Sequence, residues 1–210
     1  IWLRGDGAGA FAQPQNLGPA VEVVSLAAGH FNGDGEHDLV ISQASLSEVF
    51  FLMSDGGNGF GAPAYHNVGG GPRGLHVTHV HPGDDWDVVV ANADDGTLQI
   101  LDGDGTGVFS SSAPIAVGTR PVAVASADFD LNDETDLVVA DQASDTLVLL
   151  SQSGGMFAEP QTFEAGAAPR AVAAVDVDGA GNPDALVLAE DDDLLELRPG
   201  AGDLNLGGNI

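Results

Sequence analysis

The 210-residue chain has no cysteine and no lysine, a single tyrosine, and only two tryptophans and two methionines. Without cysteine there are no disulfides, thiolate metal sites or cysteine nucleophiles, and no thiol clue to redox compartment. No apolar run approaches the roughly 18 residues that a membrane-spanning helix needs. The first residues, Ile1-Trp2-Leu3-Arg4, show neither an initiator methionine nor a signal-peptide layout, as expected of an excerpt or a processed product. The only basic side chains are the arginines Arg4, Arg73, Arg120, Arg170 and Arg198, against 32 Asp and Glu, a formal net charge of -27. Such a charge repels phosphate backbones and anionic membranes, which argues against nucleic acid as a partner and against membrane insertion. A metal cation is the natural partner, and saline surroundings would screen the self-repulsion of so acidic a surface. The apolar fraction is 43% and the charged fraction 18%, so the chain is expected to bury a core rather than behave as an acidic tail.

What is present repeats. An aspartate followed by an apolar run recurs at Asp38, Asp87, Asp136 and Asp184, in steps of 49, 49 and 48 residues. A phenylalanine after a glycine-rich turn recurs at Phe11, Phe60, Phe109 and Phe157 with the same steps, and a proline precedes each alternating stretch at Pro19, Pro72, Pro121 and Pro169. A period of this length has the size of one propeller blade. Within residues 121–165 the pattern resolves into four strand-like runs. Val122 and Val124 mark the first, Leu137 to Ala140 the second, Thr146 to Leu150 the third, and Pro160 to Phe163 a polar fourth of the kind found at sheet edges. The second run is apolar at consecutive positions, as in a strand buried on both faces.

These features predict an all-β fold, a β-propeller of four-stranded blades of about 49 residues with about four blades present, either part of a larger ring or an unusually small one. One domain or fragment is expected over 1–210, with repeats near 21–71, 72–120, 121–168 and 169–210. Residues 1–20 would end a preceding blade. The third-strand pattern occurs five times, the first at Ile1-Trp2-Leu3, whereas the Asp-rich loop occurs four times; a closed ring would need Ala12 to Leu17 to complete its last blade.

Just before each second strand lies a nine-residue loop with oxygen-bearing side chains at alternate positions. The best copy places Asp128, Asp130, Asn132 and Asp136 at positions one, three, five and nine, with the Glu134 carbonyl at position seven. Alternate oxygens let a short loop wrap a hard cation, and six to eight flexible oxygen ligands at about 2.3–2.6 Å suit calcium better than magnesium. The first copy has His30, Asn32, Asp34, Glu36 and Asp38, with histidine, a poor calcium ligand, at position one. The fourth keeps Asp176, Asp178, Asn182 and Asp184 but has Ala180 in the middle. The second, from His79 to Asp87, has lost its early ligands and is expected to be empty of calcium. Two to three calcium ions are therefore expected, filling the third loop first, then the first, then the fourth.

The four loops, the Asp-Leu-Val strand starts and turns such as Gly105-Thr106-Gly107-Val108-Phe109 resemble the FG-GAP/VCBS repeat family over essentially the whole chain. The resemblance implies integrin-α-like propeller blades stabilised by calcium, an extracellular or cell-surface location, and a role in adhesion or recognition of a protein or a carbohydrate. The family commonly has seven blades.

Other groups read more plainly. His79 and His81, with Asp85 and Asp87 nearby, could begin a transition-metal site, but the plainer reading is a decayed calcium loop lacking a third ligand. Arg73, Arg120 and Arg170 recur near the first strand and are expected to pair with carboxylates of adjacent blades, with an acidic sugar at the channel mouth as the other reading. Arg4-Gly5-Asp6 and Asp104-Gly105-Thr106-Gly107 fall in recurrent turns and carry no function of their own. Trp2 and Trp86 do not follow the period, which counts against a lectin with blade-repeated aromatic platforms. No nucleophile elbow, phosphate loop or metalloprotease motif is present. The expectation is a non-catalytic, calcium-binding recognition module. The alternative is a carbohydrate-active enzyme, a polysaccharide lyase or hydrolase, on a propeller scaffold.

Overall fold

Proline opens three of the four repeats for a reason visible in the computed structural model, which describes residues 22–207 except 57, 58, 82 and 84, together with 5, 8–10 and 13. Pro72, Pro121 and Pro169 are each the buried first residue of an inner strand, where a missing N–H removes no bond from the middle of a ladder. The pairing slips immediately after each of them. The strands form four antiparallel blades. The first contains β1 (Val23–Gly29), β2 (Asp38–Gln43), β3 (Glu48–Leu52) and β4 (Ala64–Asn67). The second contains β5 (Pro72–Thr78), β6 (Asp87–Asn92), β7 (Thr97–Gly103), β8 (Phe109–Ser111) and β9 (Ile115–Ala116), the last two both pairing with β7. In the third, β10 (Pro121–Ala127), β11 (Asp136–Asp141) and β12 (Thr146–Leu150) are followed by a hairpin of β13 (Gln152–Ser153) and β14 (Met156–Phe157). An outer strand, β15 (Gln161–Glu164), completes that blade. The fourth has β16 (Pro169–Val175), β17 (Asp184–Ala189) and β18 (Leu194–Arg198). The only helix among the described residues is a single 3-10 turn at Ala44–Leu46.

The continuous apolar runs of β6 and β11 are explained by two cores per strand. Side chains alternate across a sheet. Val88 and Val90 therefore enter the core shared with the first blade, while Val89 and Ala91 enter the one shared with the third. In β11, Leu137 and Val139 face the second blade and Val138 and Ala140 the fourth. β15 is polar and largely exposed, as its sequence requires of an edge. The inner strands follow one another, β1 packing on β5, β5 on β10 and β10 on β16. No comparable packing joins β16 back to β1 among the described residues. The two end blades accordingly leave apolar side chains in water, with Leu26 66% and Leu195 64% exposed. Phe11, Pro19, Ile1-Trp2-Leu3, the strand from Ala12 to Leu17 and two residues of Arg4-Gly5-Asp6 lie outside the described residues.

Candidate metal centres

The repeating aspartate has a structural task in every blade. At position nine of the loop, Asp38, Asp87, Asp136 and Asp184 are 0–2% exposed. Each accepts the backbone N–H of position two on Oδ2, at 2.7–2.9 Å, from Phe31, Val80, Phe129 and Val177. Each also accepts on Oδ1, at 2.8–3.0 Å, a backbone N–H from the end of the third strand or just beyond it, from Ser54, Gly103, Gln152 and Gly200. One buried carboxylate thus joins the loop to the far end of its own blade. The phenylalanine marker reports the same corner. Phe60 bridges to Ser54, Phe109 pairs with Gly103 and Phe157 with Gln152 as the chain folds back after the third strand.

In the third loop carboxylate oxygens of Asp128, Asp130 and Asp136 lie within 4.8 Å of one another. Asp128 is held by the N–H groups of Asn132 at 2.9 Å and Asp133 at 2.8 Å. Asp130 Oδ1 is shut off from solvent and has no hydrogen-bond partner. Burial raises the pKa of Asp130 and of Asp136, and the neighbouring carboxylates push in the same direction. The loop also holds two side-chain-bearing residues in the left-handed region, Leu131 at φ 61° and Asp133 at φ 64°. Glycines occupy the same two positions of the first and fourth loops, Gly33 and Gly35, and Gly179 and Gly181. Such strain is retained at ligand clamps, at about 1–3 kcal/mol per residue. The fourth loop repeats the cluster with Asp176, Asp178 and Asp184 within 4.8 Å.

Not every residue of the expected ligand sets enters these clusters. The Asn132 amide oxygen accepts the Glu134 N–H at 2.7 Å while its nitrogen donates to the Gln152 carbonyl at 2.8 Å, so this residue shapes the turn. The Glu134 carboxylate reaches away, accepting N–H groups of Gly154 and Gly155 at 2.9 and 3.3 Å. Asn182 lies against Gly200 and Gly202 in the fourth blade.

The first two loops are closed differently. His30 Nδ1–H donates to the Glu36 carbonyl at 2.8 Å, and His79 Nδ1–H donates to the Asp85 carbonyl at the same distance. In both, the imidazole at position one engages the position-seven carbonyl that a calcium loop would offer to the ion. Asn32 and Asp34 bond each other at 2.9 Å, and Asp34 accepts the Glu36 N–H at 2.8 Å. The His30 ring packs at a tilt against His37 and that of His79 against Trp86, at 4.1 and 4.2 Å between centroids. His79 and His81 do not converge. His81 Nδ1 faces Asp102 Oδ1 at 3.2 Å and Asp87 Oδ2 at 3.8 Å. Asp102, at the end of β7, was not foreseeable as a neighbour, because nothing in the local sequence links it to a loop some twenty residues earlier. Its pKa is raised, burial being the main cause, while His81 opposes the shift and Asp87 adds to it.

The arginines differ in their partners. Arg170 pairs with Glu190 at 2.7 Å, within its own blade rather than across to a neighbour. Arg120 Nε donates to Gln142 at 3.2 Å. Arg73 makes no ion pair among the described residues, and its Nε is buried without a partner. Arg73, Arg170 and Glu190 line a cavity of about 430 Å³ that also touches Val24 and Val122 of the inner strands.

Residues 83–139 match the FG-GAP-like repeat family. No curated protein matches the chain. Among solved structures, a chain of the BBS1N complex with ARL6DN is similar at 16% identity and a TM-score of 0.54, over 90% of this chain and 53% of that one. Hydrazine synthase of Kuenenia stuttgartiensis is similar at 17% identity and a TM-score of 0.50, over 91% of this chain and 51% of that one. The chain thus spans about half the length of these structures, and at such identities the likeness speaks for the fold alone. With the end of the second loop and the whole of the third inside the matched stretch, the chain carries an FG-GAP-like repeat within a four-bladed β-propeller arrangement.

Proposed function

We propose that the chain is a calcium-binding, non-catalytic propeller module for extracellular or cell-surface recognition of a protein or carbohydrate partner. The observation that carries the calcium reading is the third loop. There a buried, unpartnered oxygen of Asp130 points among the carboxylates of Asp128 and Asp136, which repel one another unless a cation stands between them. An all-oxygen donor set fits calcium. Asp128, Asp130 and Asp136 would hold the ion in this loop, and Asp176, Asp178 and Asp184 in the fourth. In the first loop His30 already satisfies the Glu36 carbonyl, which supports weak calcium binding or none there. The bound ion would neutralise the clustered charge and rigidify the loops on one edge of the blades. Recognition itself rests on the repeat family, because the propeller scaffold alone does not specify a ligand.

The second reading, a carbohydrate-active enzyme, would draw on the cavity where Arg73, Arg170 and Glu190 meet. There Glu190 is tied to Arg170, and Tyr65, the one tyrosine, lies on the outer strand β4. This arrangement favours anion binding over acid–base chemistry. Calorimetric calcium titration of chelator-stripped protein tests the main reading, with two sites expected and one lost in Asp130→Ala. Absence of heat up to millimolar calcium would overturn it. Product release from acidic polysaccharides would favour the enzyme.

A further inference from the structure

The second blade carries a ligand pair that loss of calcium ligands does not account for. His81 stands at loop position three, where the other loops have Asn32, Asp130 and Asp178. Asp102 is the residue before Gly103 on β7, and its counterparts in the other blades are Met53, Ser151 and Pro199, none of them a carboxylate. Two exceptional side chains in one blade, on different segments, meet with His81 Nδ1 3.2 Å from Asp102 Oδ1. Asp87 completes the group, and the three ligand atoms lie within 4.8 Å of one another.

We propose that His81, Asp87 and Asp102 form a site for a borderline divalent transition ion such as zinc, separate from the calcium loops. A tetrahedral zinc with arms of about 2.0–2.1 Å needs ligand atoms about 3.3–3.4 Å apart. The two separations from His81 Nδ1, 3.2 and 3.8 Å, bracket that value. Asp87 is 2% exposed and is fixed by the N–H groups of Val80 and His81 on Oδ2, the oxygen that faces His81 Nδ1, and of Gly103 on Oδ1. His81 Nδ1 is itself buried and has no hydrogen-bond partner. The side chains of His81 and Asp102 are 38% and 46% exposed, so an ion can enter and water can take the remaining position. A cleft of about 210 Å³ lined by His79, His81, Glu134 and Gln152 opens beside the group, on the side away from Asp87 and Asp102, which do not line it. One imidazole and two carboxylates are too few oxygens for calcium, whereas nitrogen with oxygen suits zinc, cobalt or nickel.

The test is zinc calorimetry on the chelator-stripped full chain in saturating calcium, repeated with cobalt to read its visible absorption. One zinc equivalent is expected, with the d–d bands of cobalt bound through one nitrogen. The variants are His81→Asn and Asp102→Ser, residues that this fold already uses at the matching places in other blades. Each should weaken binding by about tenfold or more, while Asp130→Asn leaves it unchanged. Thermal melting without zinc confirms that both variants fold. No zinc uptake, or uptake that survives both substitutions, would overturn the site; the second result would point to the His30–His37 pair. Loss in His81→Asn alone would overturn the carboxylate ligation.

Discussion

The first and second loops and the third and fourth are built on one frame but closed by different chemistry. All four use the buried position-nine aspartate as a bracket between loop and third strand. In the first pair an imidazole N–H caps the position-seven carbonyl, so the loop closes without an ion. In the second pair an aspartate stands at position one, and three carboxylates gather instead. The difference separates two properties that the repeating Asp-rich pattern blends together: the bracket joins the loop to its blade, whereas the residue at position one decides whether the loop closes on its own carbonyl or gathers three carboxylates.

The largest expected effect is a failure of the bracket. Asp136→Ala leaves the buried N–H groups of Phe129 and Gln152 without acceptors and should cost on the order of 3 kcal/mol in urea unfolding. Asp38→Ala should cost as much whether or not calcium is present; dependence on calcium in the first blade would break the comparison. Next comes the exchange of the closing residue. Asp128→His should abolish the calcium-induced rise in melting temperature at the third loop, a stabilisation of about 2.7 kcal/mol when calcium is at a hundred times its Kd. His30→Asp should lower calcium-free stability and create a new calcium response in the first loop.

A smaller effect follows from backbone strain. Asp133→Gly places glycine where the first and fourth loops already have it and should raise calcium-free stability by about 1 kcal/mol in thermal melts. Acid should act on the third loop in the same sense as calcium. The folded pKa values of Asp130 and Asp136 lie above the ordinary 3.8, so the stability linked to their protonation is complete below 3.8 and is lost as pH rises through the folded values. Calcium affinity should therefore fall on acidification through that window, as titrations at neutral and acid pH would read. The smallest effect contrasts two glutamates at position seven. Glu134→Ala, which frees the N–H groups of Gly154 and Gly155, should cost about 0.5–1.5 kcal/mol. Glu36→Ala, whose side chain is exposed, should stay within about 0.5 kcal/mol.

Much of this architecture was legible in the sequence because a repeated unit shows its own period. The strand runs at Thr146 to Leu150 and Leu137 to Ala140 appear as β12 and within β11, and the polar run near Phe163 as the edge strand β15. The continuous apolar run betrayed a strand with a core on each face. The loops were legible as ligand patterns, yet their closure was not. That His30 would turn to the Glu36 carbonyl, or that Asn132 would spend its amide on the turn, depends on side-chain direction rather than residue type. Asp102 was hidden for a different reason. Its contact with His81 arises only when the end of β7 folds against the second loop, and no local pattern at a strand end announces a partner 21 residues away.

Because β6 and β11 each serve two cores, the blades form a chain of nearest neighbours rather than four independent units. Opening one blade exposes half of each core it shares, so fluctuations should be rare at the centre and frequent at the ends. Amide protons of β6 and β11 should exchange with solvent most slowly, and those of β1 and β18 soonest, giving the arc a gradient of lifetimes along its own sequence.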